Sequence, residues 1–503
     1  MVKLVKLKNR YDLFINGEEQ QVSTNKYFQV YNPATGEKIT EVAEGGAEDV
    51  DSAVNSARQC FESGIWSRMG VSQRAKILQR IGDRLERELE TFIYLESLCT
   101  GRPIREMAAQ LKRLPEWFDY YAGLIRTFEG TVPPFSGNYL NYTKRVPLGV
   151  IAIVTPWNHP MLILIKKLVA ALAAGNSVVV KPSEFTPITT LMLARIALDE
   201  GLPRGAFNVV TGFGPVAGAE LCNHPEINKI DLTGGTQTGK KVASMAGSNL
   251  AKVSCELGGK ASVLFFEDCD LEQAVNGAAF ASFIATGQTC VQGARLLVHT
   301  SIYNEFAERL VEKAKSIRLG DPLELSTQMG PLISEMQLKK TEDYVQIALN
   351  EGATLLYGGT RPKEMPAGYF YQPTIFKDVH NEMRIAQEEV FGPVTCLIPF
   401  ETEEEAIQLA NATDFGLAMG VWTNDVKRAH AVADKLECGI VWINDHHRLD
   451  PSSPWGGVKD SGIGRENGVE CFRDYTEVKS IIVNYDRQSF DWYEDSDEIK
   501  RYS

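Results

Sequence analysis

The sequence has no surplus of positive charge. Its 52 Lys and Arg residues are outnumbered by 65 Asp and Glu residues, which gives a formal net charge of −13 at pH 7. Nucleic-acid grooves and surfaces that bind anionic membranes depend on an excess of basic groups. We therefore predict that neither a nucleic acid nor a membrane is a partner of this chain.

Long hydrophobic runs are also missing. The longest lie near 148–155 and 161–174, and the second is interrupted by Lys166 and Lys167. A helix that spans a bilayer needs about 20 apolar residues. The basic residues within 1–8 are not followed by the apolar block of a secretory signal. We therefore expect a cytoplasmic protein.

The nine cysteines are scattered, odd in number and without any Cys-x-x-Cys spacing. This pattern disfavours a disulfide framework and a zinc site, and it fits a reducing compartment where most cysteines are small buried hydrophobic residues. The neighbours His446 and His447 are a weak metal candidate, because adjacent residues on a strand point to opposite faces. We predict no bound metal.

The order of apolar segments indicates the fold class. A chain of 503 residues is long enough for two or three domains. Residues 48–126 have a helical pattern, and from Gly149 short apolar β runs alternate with helices as far as 252–254. A second such series runs from Gly259 to Asn444. The alternation predicts an α/β fold of parallel βαβ units, which bind ligands at the carboxyl ends of their strands.

Residues 129–147 interrupt this alternation. They contain paired prolines and the alternating residues Tyr139, Asn141 and Thr143, which predict extended strands around a turn. We expect this excursion to serve subunit contacts. The polar, acidic tail at 491–503 is predicted to lie on the surface or at a subunit contact.

Cys290 lies within 287–293, among glycines and small polar residues. The flanking glycines let a ligand approach the backbone closely, which favours a reactive thiol over the commoner buried structural cysteine. A thiolate that attacks a carbon centre needs a nearby cation, helix dipole or base, since a free cysteine has a pKa of ~8.5. Cys290 is therefore our candidate nucleophile.

Two further polar residues follow predicted strands. Asn158, in the loop 156–160, could hold an oxyanion together with the backbone N–H of Cys290. Taken alone, Asn158 would be a turn or capping residue. Glu256, on a glycine turn, could activate water as a general base. Taken alone, it would be a solvated carboxylate at the end of a strand.

Two glycine clusters also follow predicted strands. In 212–218 the last glycine is one position late for a dinucleotide fingerprint, and 234–241 nearly matches a P-loop but has Lys241 where Ser or Thr would bind Mg²⁺. Either cluster could present helix N–H groups to a phosphate, and either could be turn chemistry. Lys181 and Glu184 would suit ribose hydroxyls, with a surface salt bridge as the alternative.

Together these motifs resemble the NAD(P)-dependent aldehyde dehydrogenase superfamily over essentially the whole chain. The segments that carry the resemblance, in family order, are PWNHP (156–160), KPSE (181–184), LTGGTQTG (232–239), ELGGK (256–260), GQTC (287–290), EEVFGP (388–393), PWGG (454–457) and SGIGRE (461–466). The resemblance implies a Rossmann-type dinucleotide-binding domain, an α/β catalytic domain and a small β oligomerisation flap.

The resemblance also implies domain boundaries and an assembly. The domains would be 1–128 with 148–258 for dinucleotide binding (461–480 packing back on it), 259–460 for catalysis, and 129–147 with 481–503 for oligomerisation. A homodimer or a homotetramer is expected.

The same resemblance implies that the chain oxidises an aldehyde. Cys290 would attack the aldehyde to form a thiohemiacetal, and Asn158 would hold the oxyanion while hydride passes to the nicotinamide. Glu256 would then activate water to hydrolyse the thioester to a carboxylic acid. Lys167 and Glu466 match positions that the family associates with proton relay.

The implied cofactor is NAD⁺, with NADP⁺ less favoured because Glu184 would repel a 2′-phosphate. Lys181 and Glu184 would hold the adenosine ribose, and Glu389 and Phe391 would position the nicotinamide end. The other residues assigned to the dinucleotide are Thr155, Trp157, Gly214, Gly235 and Leu257.

The expected substrate tunnel departs from the family pattern. His159 stands where many members have an aromatic residue, and Lys166 replaces a tunnel tryptophan. Lys166 disfavours a cationic aldehyde. With Arg113 and Arg448 it favours an aromatic or carboxylate-bearing aldehyde, unless these cations form a solvated rim. The other predicted tunnel positions are Ile163, Thr289, Val291, His447, Leu449 and Trp455.

Two other functions fit parts of the sequence. The segment 234–241 would suit a P-loop-like nucleotide triphosphatase, although Lys241 counts against it. A crystallin-like protein could keep the fold without turnover, although it would need none of Cys290, Asn158 and Glu256.

Overall fold

Two large sheets, both mainly parallel, dominate the computed structural model of this chain. The structure describes residues 7–487 and 491–493. The parts of the predicted terminal segments at 1–6, 488–490 and 494–503 lie outside the described residues.

The first sheet has eight strands. In spatial order they are Gly462–Ile463, Lys252–Glu256, Lys229–Thr233, Val150–Val154, Ser177–Lys181, Phe207–Val209, Leu13–Ile15 and Glu18–Gln20. The parallel series starts at Val150–Val154, continues outward through Ser177–Lys181, and returns on the other side at Lys229–Thr233. The strand order therefore reverses between Val150–Val154 and Lys229–Thr233, and open α/β sheets bind ligands at such a reversal.

The second sheet has seven strands. In spatial order they are Thr354–Tyr357, Thr374–Lys377, Val394–Phe400, Gly293–His299, Ala261–Phe265, Ala418–Trp422 and Ile440–Ile443. Only the edge strand Thr354–Tyr357 pairs antiparallel. Ala261–Phe265 is buried along its whole length, as expected of a parallel strand that is covered on both faces. The predicted α/β fold class is confirmed.

Helices cover both sheets. The α-helices of the described residues are Ala47–Ser63, Val71–Arg87, Leu89–Thr100, Ile104–Leu111, Pro115–Thr127, Pro160–Ala174, Ile188–Asp199, Ala219–Asn223, Thr236–Ser248, Leu271–Phe283, Tyr303–Lys315, Glu335–Asn350, Arg384–Gln387, Glu403–Asn411, Val426–Lys435 and Gly468–Asp474. The helical pattern predicted over 48–126 is confirmed. Within the described part of the chain, no helix is long and apolar enough to cross a bilayer.

Three small sheets complete the structure. One has the strands Arg10–Tyr11, Lys38–Ala43 and Tyr27–Tyr31, another pairs Phe415–Gly416 with Val458–Lys459, and the last pairs Tyr139–Pro147 with Thr476–Asn484.

The pairing of Tyr139–Pro147 corrects one prediction. Residues 129–147 do not form two strands around a turn; they provide one strand, and its antiparallel partner is Thr476–Asn484 from the far end of the chain. Alternating residues reveal a strand but not a partner more than three hundred residues away in sequence. The domain boundaries themselves stay a prediction.

The helix Pro160–Ala174 lies at the centre of the molecule. Every one of its residues is buried, as expected of a helix that is apolar on all sides. Lys166 and Lys167 are the exceptions in its composition. A buried ammonium is costly unless it is paired, so these two lysines require carboxylates nearby.

Removing one buried hydrogen bond should test the packing beside this helix. Trp117 is fully buried, and its indole N–H donates to Oδ1 of Asn467 at 2.9 Å. Trp117→Phe would leave that oxygen without a donor, so we expect the free energy of unfolding to fall by about 1–3 kcal/mol. Urea unfolding followed by circular dichroism measures it. Tyr485→Phe, on an exposed ring, should change it by less than about 0.5 kcal/mol. Equal stability of the two variants would contradict the prediction.

Candidate active site

A cavity of about 210 Å³ opens at the crevice where the strand order of the first sheet reverses. Its lining consists of Pro156, Trp157, Asn158, Thr233, Gly234, Gly235, Leu257, Gly258, Cys290, Gln337, Lys340, Glu389 and Phe391. The loops after Val150–Val154 and Lys229–Thr233 supply one wall, and segments around the second sheet supply the other. The cavity therefore lies where this topology places a ligand.

Cys290 is accessible from this cavity. It lies between the helical turn Ile284–Gly287 and the strand Gly293–His299, and it is partly exposed while six of the other eight cysteines are buried. Gly259 packs so closely on it that a β-carbon there would clash with the carbonyl oxygen of Cys290. A glycine at 259 therefore allows the 256–260 segment to approach the thiol.

The thiol of Cys290 is not activated in the protein without ligands. Its surroundings disfavour charge, and the carboxylates of Glu256 and Glu389 repel a thiolate, so the pKa of Cys290 rises to about 12. The reactive thiolate is then a minor species at neutral pH. Attack on a carbon centre therefore needs a base that takes the proton.

Asn158 connects the two walls of the cavity. Its Nδ2 donates to the carbonyl oxygen of Gln288 at 2.9 Å, and its Oδ1 is buried without a hydrogen-bond partner. An amide nitrogen has two hydrogens, so one remains for a ligand beside Cys290. Asn158 is not the cap of the following helix, whose first flanking residue is His159.

Glu256 is buried at the end of the strand Lys252–Glu256, and it is not solvated. Neither carboxylate oxygen has a hydrogen-bond partner among the residues that the structure describes. Burial and the neighbouring Glu466 raise the pKa of Glu256 well above its ordinary value. A carboxyl group in this state can accept and hold a proton near neutral pH, as a general base requires.

A buried ionic cluster lies behind Glu256. Nζ of Lys166 is 2.5 Å from Oε2 of Glu466, and Nζ of Lys167 is 2.6 Å from Oε1 of the same carboxylate. Lys167 also pairs with Asp231, which accepts a hydrogen bond from the hydroxyl of Tyr475. Two ammonium groups thus face two carboxylates.

The cluster sets the charge state of Glu466. Burial alone would raise the pKa of Glu466, but Lys166 and Lys167 outweigh it and lower the pKa to about 2. Sequence reasoning found Lys167 and Glu466 but missed Asp231 and Tyr475. An Asp between Ile230 and Leu232 in the mostly buried strand Lys229–Thr233 was the available signal.

A second cavity, of about 330 Å³, lies on another side of the site. Its lining is Arg102, Arg105, Glu106, Ala109, Gln110, Arg113, Trp117, Leu162, Phe280, Ile284, His447, Arg448 and Leu449. Of the predicted tunnel positions, Arg113, His447 and Leu449 lie here. Sequence reasoning missed the other lining residues between 102 and 117. Four of them, Arg105, Glu106, Ala109 and Gln110, recur at three- and four-residue steps, which is the signal of one face of the helix Ile104–Leu111.

His159 is fixed beside this second cavity. Its Nδ1 is 2.7 Å from Nη1 of Arg102 and 2.9 Å from Nε2 of Gln110, so Nδ1 is the acceptor and Nε2 holds the proton. Burial and Arg102 hold the pKa of His159 well below its ordinary value. Its ring centroid is 5.6 Å from that of His447. The imidazole rings of His159 and His447 therefore lie together at the second cavity.

His446 and His447 lie in a loop after the strand Ile440–Ile443, and not on a strand as predicted. Nε2 of His446 is 2.7 Å from the carbonyl oxygen of Val291. The described residues contain no group of three His, Cys, Asp or Glu side chains that could hold a metal ion.

The cations of the predicted tunnel all have carboxylate partners. Arg113 pairs with Glu116 at 2.7 Å, and the exposed Arg448 pairs with Asp445 at 2.7 Å. Lys166 is buried, so the solvated-rim alternative applies to Arg448 and not to Lys166. The remaining tunnel candidates Ile163, Thr289, Val291 and Trp455 are buried.

The residues predicted to hold the dinucleotide lie along the carboxyl edge of the first sheet. Nζ of Lys181 donates to the carbonyl oxygen of Gly212 at 3.1 Å and is 3.7 Å from Oε2 of Glu184. The amide of Thr155 donates to the carbonyl oxygen of Lys181 at 3.2 Å. Gly214 begins a short helical turn, Gly214–Gly218.

The remaining predicted cofactor residues line the first cavity. Oε1 of Glu389 accepts from the amide of Gly259 at 3.0 Å, and the rings of Trp157 and Phe391 meet edge to face at 5.3 Å. Gly235 precedes the helix Thr236–Ser248, which has no side-chain cap. The N–H groups of its first turn are therefore available to an anion.

Lys240 occupies the lysine position of the P-loop-like segment 234–241, and its side chain is largely exposed. It pairs on the surface with Asp460 at 2.6 Å.

Comparison with known proteins gives consistent matches. A family model described as "Aldehyde dehydrogenase family" matches residues 20–481. Betaine aldehyde dehydrogenase of Bacillus subtilis (strain 168) is 42% identical over 488 residues, which cover 96% of this chain and 99% of that protein. Retinal dehydrogenase 2 of Homo sapiens is 41% identical over 474 residues, which cover 94% of this chain and 91% of that protein.

Solved structures match over the same length. Betaine aldehyde dehydrogenase from Staphylococcus aureus in complex with NAD⁺ has a TM-score of 0.95 at 38% identity, with 96% of this chain and 97% of that chain covered. The NAD⁺ complex of an aldehyde dehydrogenase from Bacillus cereus has a TM-score of 0.93 at 42% identity, with 95% and 97% covered.

The raised pKa of Cys290 predicts its pattern of alkylation. In the protein without ligands, the iodoacetamide reaction at Cys290 should speed up from about pH 7 to about pH 10 without a plateau, because the thiolate fraction grows throughout. Glu256→Gln removes a repelling charge and should speed the reaction severalfold at about pH 8. Mass spectrometry of the Cys290 peptide measures both effects.

Cys269 is the internal control for this experiment. It is also partly exposed, its pKa is raised to about 11, and Glu256 is not among the groups that shift it. Its alkylation should not respond to Glu256→Gln. A plateau for Cys290 near about pH 8.5, the ordinary range of a free thiol, would contradict the prediction.

Proposed function

Because this chain belongs to the aldehyde dehydrogenase family, we propose that it oxidises an aldehyde to the carboxylic acid with NAD⁺ as the hydride acceptor. One observation carries the proposal. Cys290 and Asn158 line the same cavity as the segments expected to hold the dinucleotide, and the unpaired carboxyl group of Glu256 lies close enough to raise the pKa of that cysteine.

Cys290 begins the reaction by attacking the carbonyl carbon of the aldehyde. Its proton passes to Glu256, whose raised pKa lets the carboxyl group keep it. The carbonyl oxygen becomes an oxyanion, held by the free amide hydrogen of Asn158 and the backbone N–H of Cys290. The product of this step is a thiohemiacetal on the sulfur.

The second half of the reaction converts the thiohemiacetal to the acid. When bound, NAD⁺ supplies the ring that accepts hydride, which leaves a thioester on Cys290. After the proton taken from Cys290 has left Glu256, this carboxylate takes a second proton from water, and the resulting hydroxide attacks the thioester carbon. The C–S bond breaks, and the acid leaves. We propose that Lys167 and Glu466 pass the proton from Glu256 towards solvent, since their charges act on Glu256.

The residues of the first cavity fit the proposed cofactor. A β-carbon at Gly235 would meet nothing within 4 Å, which leaves space for a diphosphate at the uncapped start of the helix Thr236–Ser248. We propose that Thr155, Lys181, Glu184 and Gly214 hold the adenosine end. Trp157, Leu257, Glu389 and Phe391 would hold the nicotinamide end. The NAD⁺ complexes of two structural relatives support the choice of NAD⁺ as the cofactor.

The surroundings of the tunnel cations bear on the choice between an aromatic and a carboxylate-bearing aldehyde as the substrate. Arg113, Arg448 and Lys166 each have a carboxylate partner, so none is free to bind a substrate carboxylate. Trp117, Phe280 and Leu162 give the second cavity apolar walls. We therefore propose an uncharged aldehyde, such as an aromatic one, as the substrate.

We also propose that the sheet of Tyr139–Pro147 and Thr476–Asn484 mediates a homodimer or homotetramer. Apolar side chains on both strands are exposed, among them Leu140, Val478 and Ile482. An exposed apolar patch of this kind marks an interaction surface.

Variants at Glu256 and at Cys290 should affect hydride transfer and thioester hydrolysis differently. Glu256→Gln should retain the amplitude of the NADH burst, because each Cys290 can still form one thioester. It should slow the burst, because the base for the Cys290 proton is lost, and should slow steady turnover about 100-fold or more. Cys290→Ala should give neither burst nor turnover while NAD⁺ binding persists. Stopped-flow absorbance at about 340 nm, where reduced nicotinamide absorbs, measures both phases. A wild-type steady rate for Glu256→Gln, or turnover by Cys290→Ala, would refute the assigned roles.

Glu184 should set the choice of dinucleotide. Its carboxylate would repel the 2′-phosphate of NADP⁺, so Glu184→Ser should raise kcat/KM for NADP⁺ relative to NAD⁺ about 10-fold. Steady-state kinetics with both cofactors measures the ratio. Glu308→Ser, at an exposed helical position, should leave the ratio unchanged. The same ratio for Glu184→Ser and wild type would argue against a ribose-binding role.

A further inference from the structure

The ammonium of Lys166 lies on the face of an aromatic ring. Its Nζ is 4.4 Å from the centroid of the Trp455 ring and 2.5 Å from Oε2 of Glu466. Lys166 has 3% of its surface exposed, so water does not weaken either interaction. A cation within about 6 Å of a tryptophan face is attracted by the negative potential of the ring.

Trp455 packs in the same buried apolar cluster as Cys290 and as Leu449 of the second cavity. Leu449 and His447 line the second cavity, and the ring centroid of His447 is 6.3 Å from that of Trp455. An aldehyde that approaches Cys290 from this cavity therefore passes the Trp455 ring.

Among the residues that the structure describes, the cation over the Trp455 ring is already paired. Glu466 neutralises Lys166, as the distance of 2.5 Å indicates. The imidazoles of His159 and His447 are neutral, since burial lowers the pKa of His447 to about 3 and that of His159 well below its ordinary value. These groups around the Trp455 ring thus offer a substrate neither an anion nor a cation to pair with.

We propose that Lys166 determines specificity by filling, with its own ammonium, the aromatic face on which a substrate cation would otherwise bind. The chain then oxidises uncharged aldehydes and excludes quaternary ammonium aldehydes. This inference rests on the proposed function. It separates this chain from the relatives named betaine aldehyde dehydrogenase, at 42% and 38% identity.

The physical basis is occupancy combined with desolvation. Tryptophan faces are the usual sites for quaternary ammonium groups, and one such face here is already taken. A substrate cation beside Lys166 would lose its hydration without gaining a counter-charge, because Glu466 already pairs with Lys166. An uncharged group of the same shape meets neither obstacle.

Two aldehydes of equal shape test the proposal. Betaine aldehyde has a trimethylammonium group where 3,3-dimethylbutanal has a tert-butyl group. For the wild-type protein with NAD⁺, kcat/KM for 3,3-dimethylbutanal should exceed that for betaine aldehyde about 10-fold or more. Equal values, or a preference for betaine aldehyde, would overturn the proposal.

Three variants assign the preference to Lys166. Lys166→Met keeps the apolar stem but removes the ammonium, while Glu466 keeps its partner Lys167; it should raise the ratio of betaine aldehyde to 3,3-dimethylbutanal turnover about 10-fold. Lys166→Arg keeps a cation over Trp455 and should retain the wild-type ratio. Lys315→Met, on an exposed lysine paired with Glu312, is the matched control. An unchanged ratio for Lys166→Met would overturn the proposal.

A wild-type measurement keeps the test independent of how the variants fold. Choline and its uncharged isostere 3,3-dimethylbutan-1-ol are compared as inhibitors of aldehyde oxidation. The isostere should inhibit about 10-fold more strongly, and stronger inhibition by choline would overturn the proposal. Failure of the proposed function looks different, because no aldehyde would then yield NADH.

Discussion

Two consecutive lysines lie in a buried helix that is otherwise apolar, so the surrounding structure must supply carboxylates to pair with them. Lys166 and Lys167 are buried in the centre of the molecule, and buried charges persist only when paired. Glu466 meets both ammonium groups, and Asp231 meets the second. Glu256 is left beside this neutral cluster with no partner of its own, which is why its pKa is raised rather than lowered.

The topology brings these groups together from distant parts of the chain. The reversal of strand order beside Val150–Val154 opens the crevice, and the second sheet presents Cys290 across it. The strand Gly462–Ile463 pairs with Lys252–Glu256, so the segment that contains Glu466 is fixed against the strand that ends in Glu256. Cys290, Glu256 and Glu466 form one site because the sheet topology brings them together, although they are far apart in sequence.

Much of this arrangement could be predicted from sequence, and the failures have physical causes. Local apolar periodicity gave the parallel units, and glycines around Cys290 and Glu256 indicated where a ligand approaches. The partner of Tyr139–Pro147 could not be found, because pairing across the whole chain leaves no local signal. The environment of the Lys166 ammonium could not be predicted either, since the sequence does not distinguish a solvated ammonium from one that lies over Trp455.

The ladder between Tyr139–Pro147 and Thr476–Asn484 has a consequence for biosynthesis. Glu466, Tyr475 and this last strand emerge from the ribosome after both large sheets have been made. Until then Lys166 and Lys167 have only one of their two carboxylate partners, Asp231, in the nascent core. The helix Pro160–Ala174 therefore reaches its final state only after Glu466 has been synthesised, and a chaperone that protects the unfinished centre would have to act on it until that point.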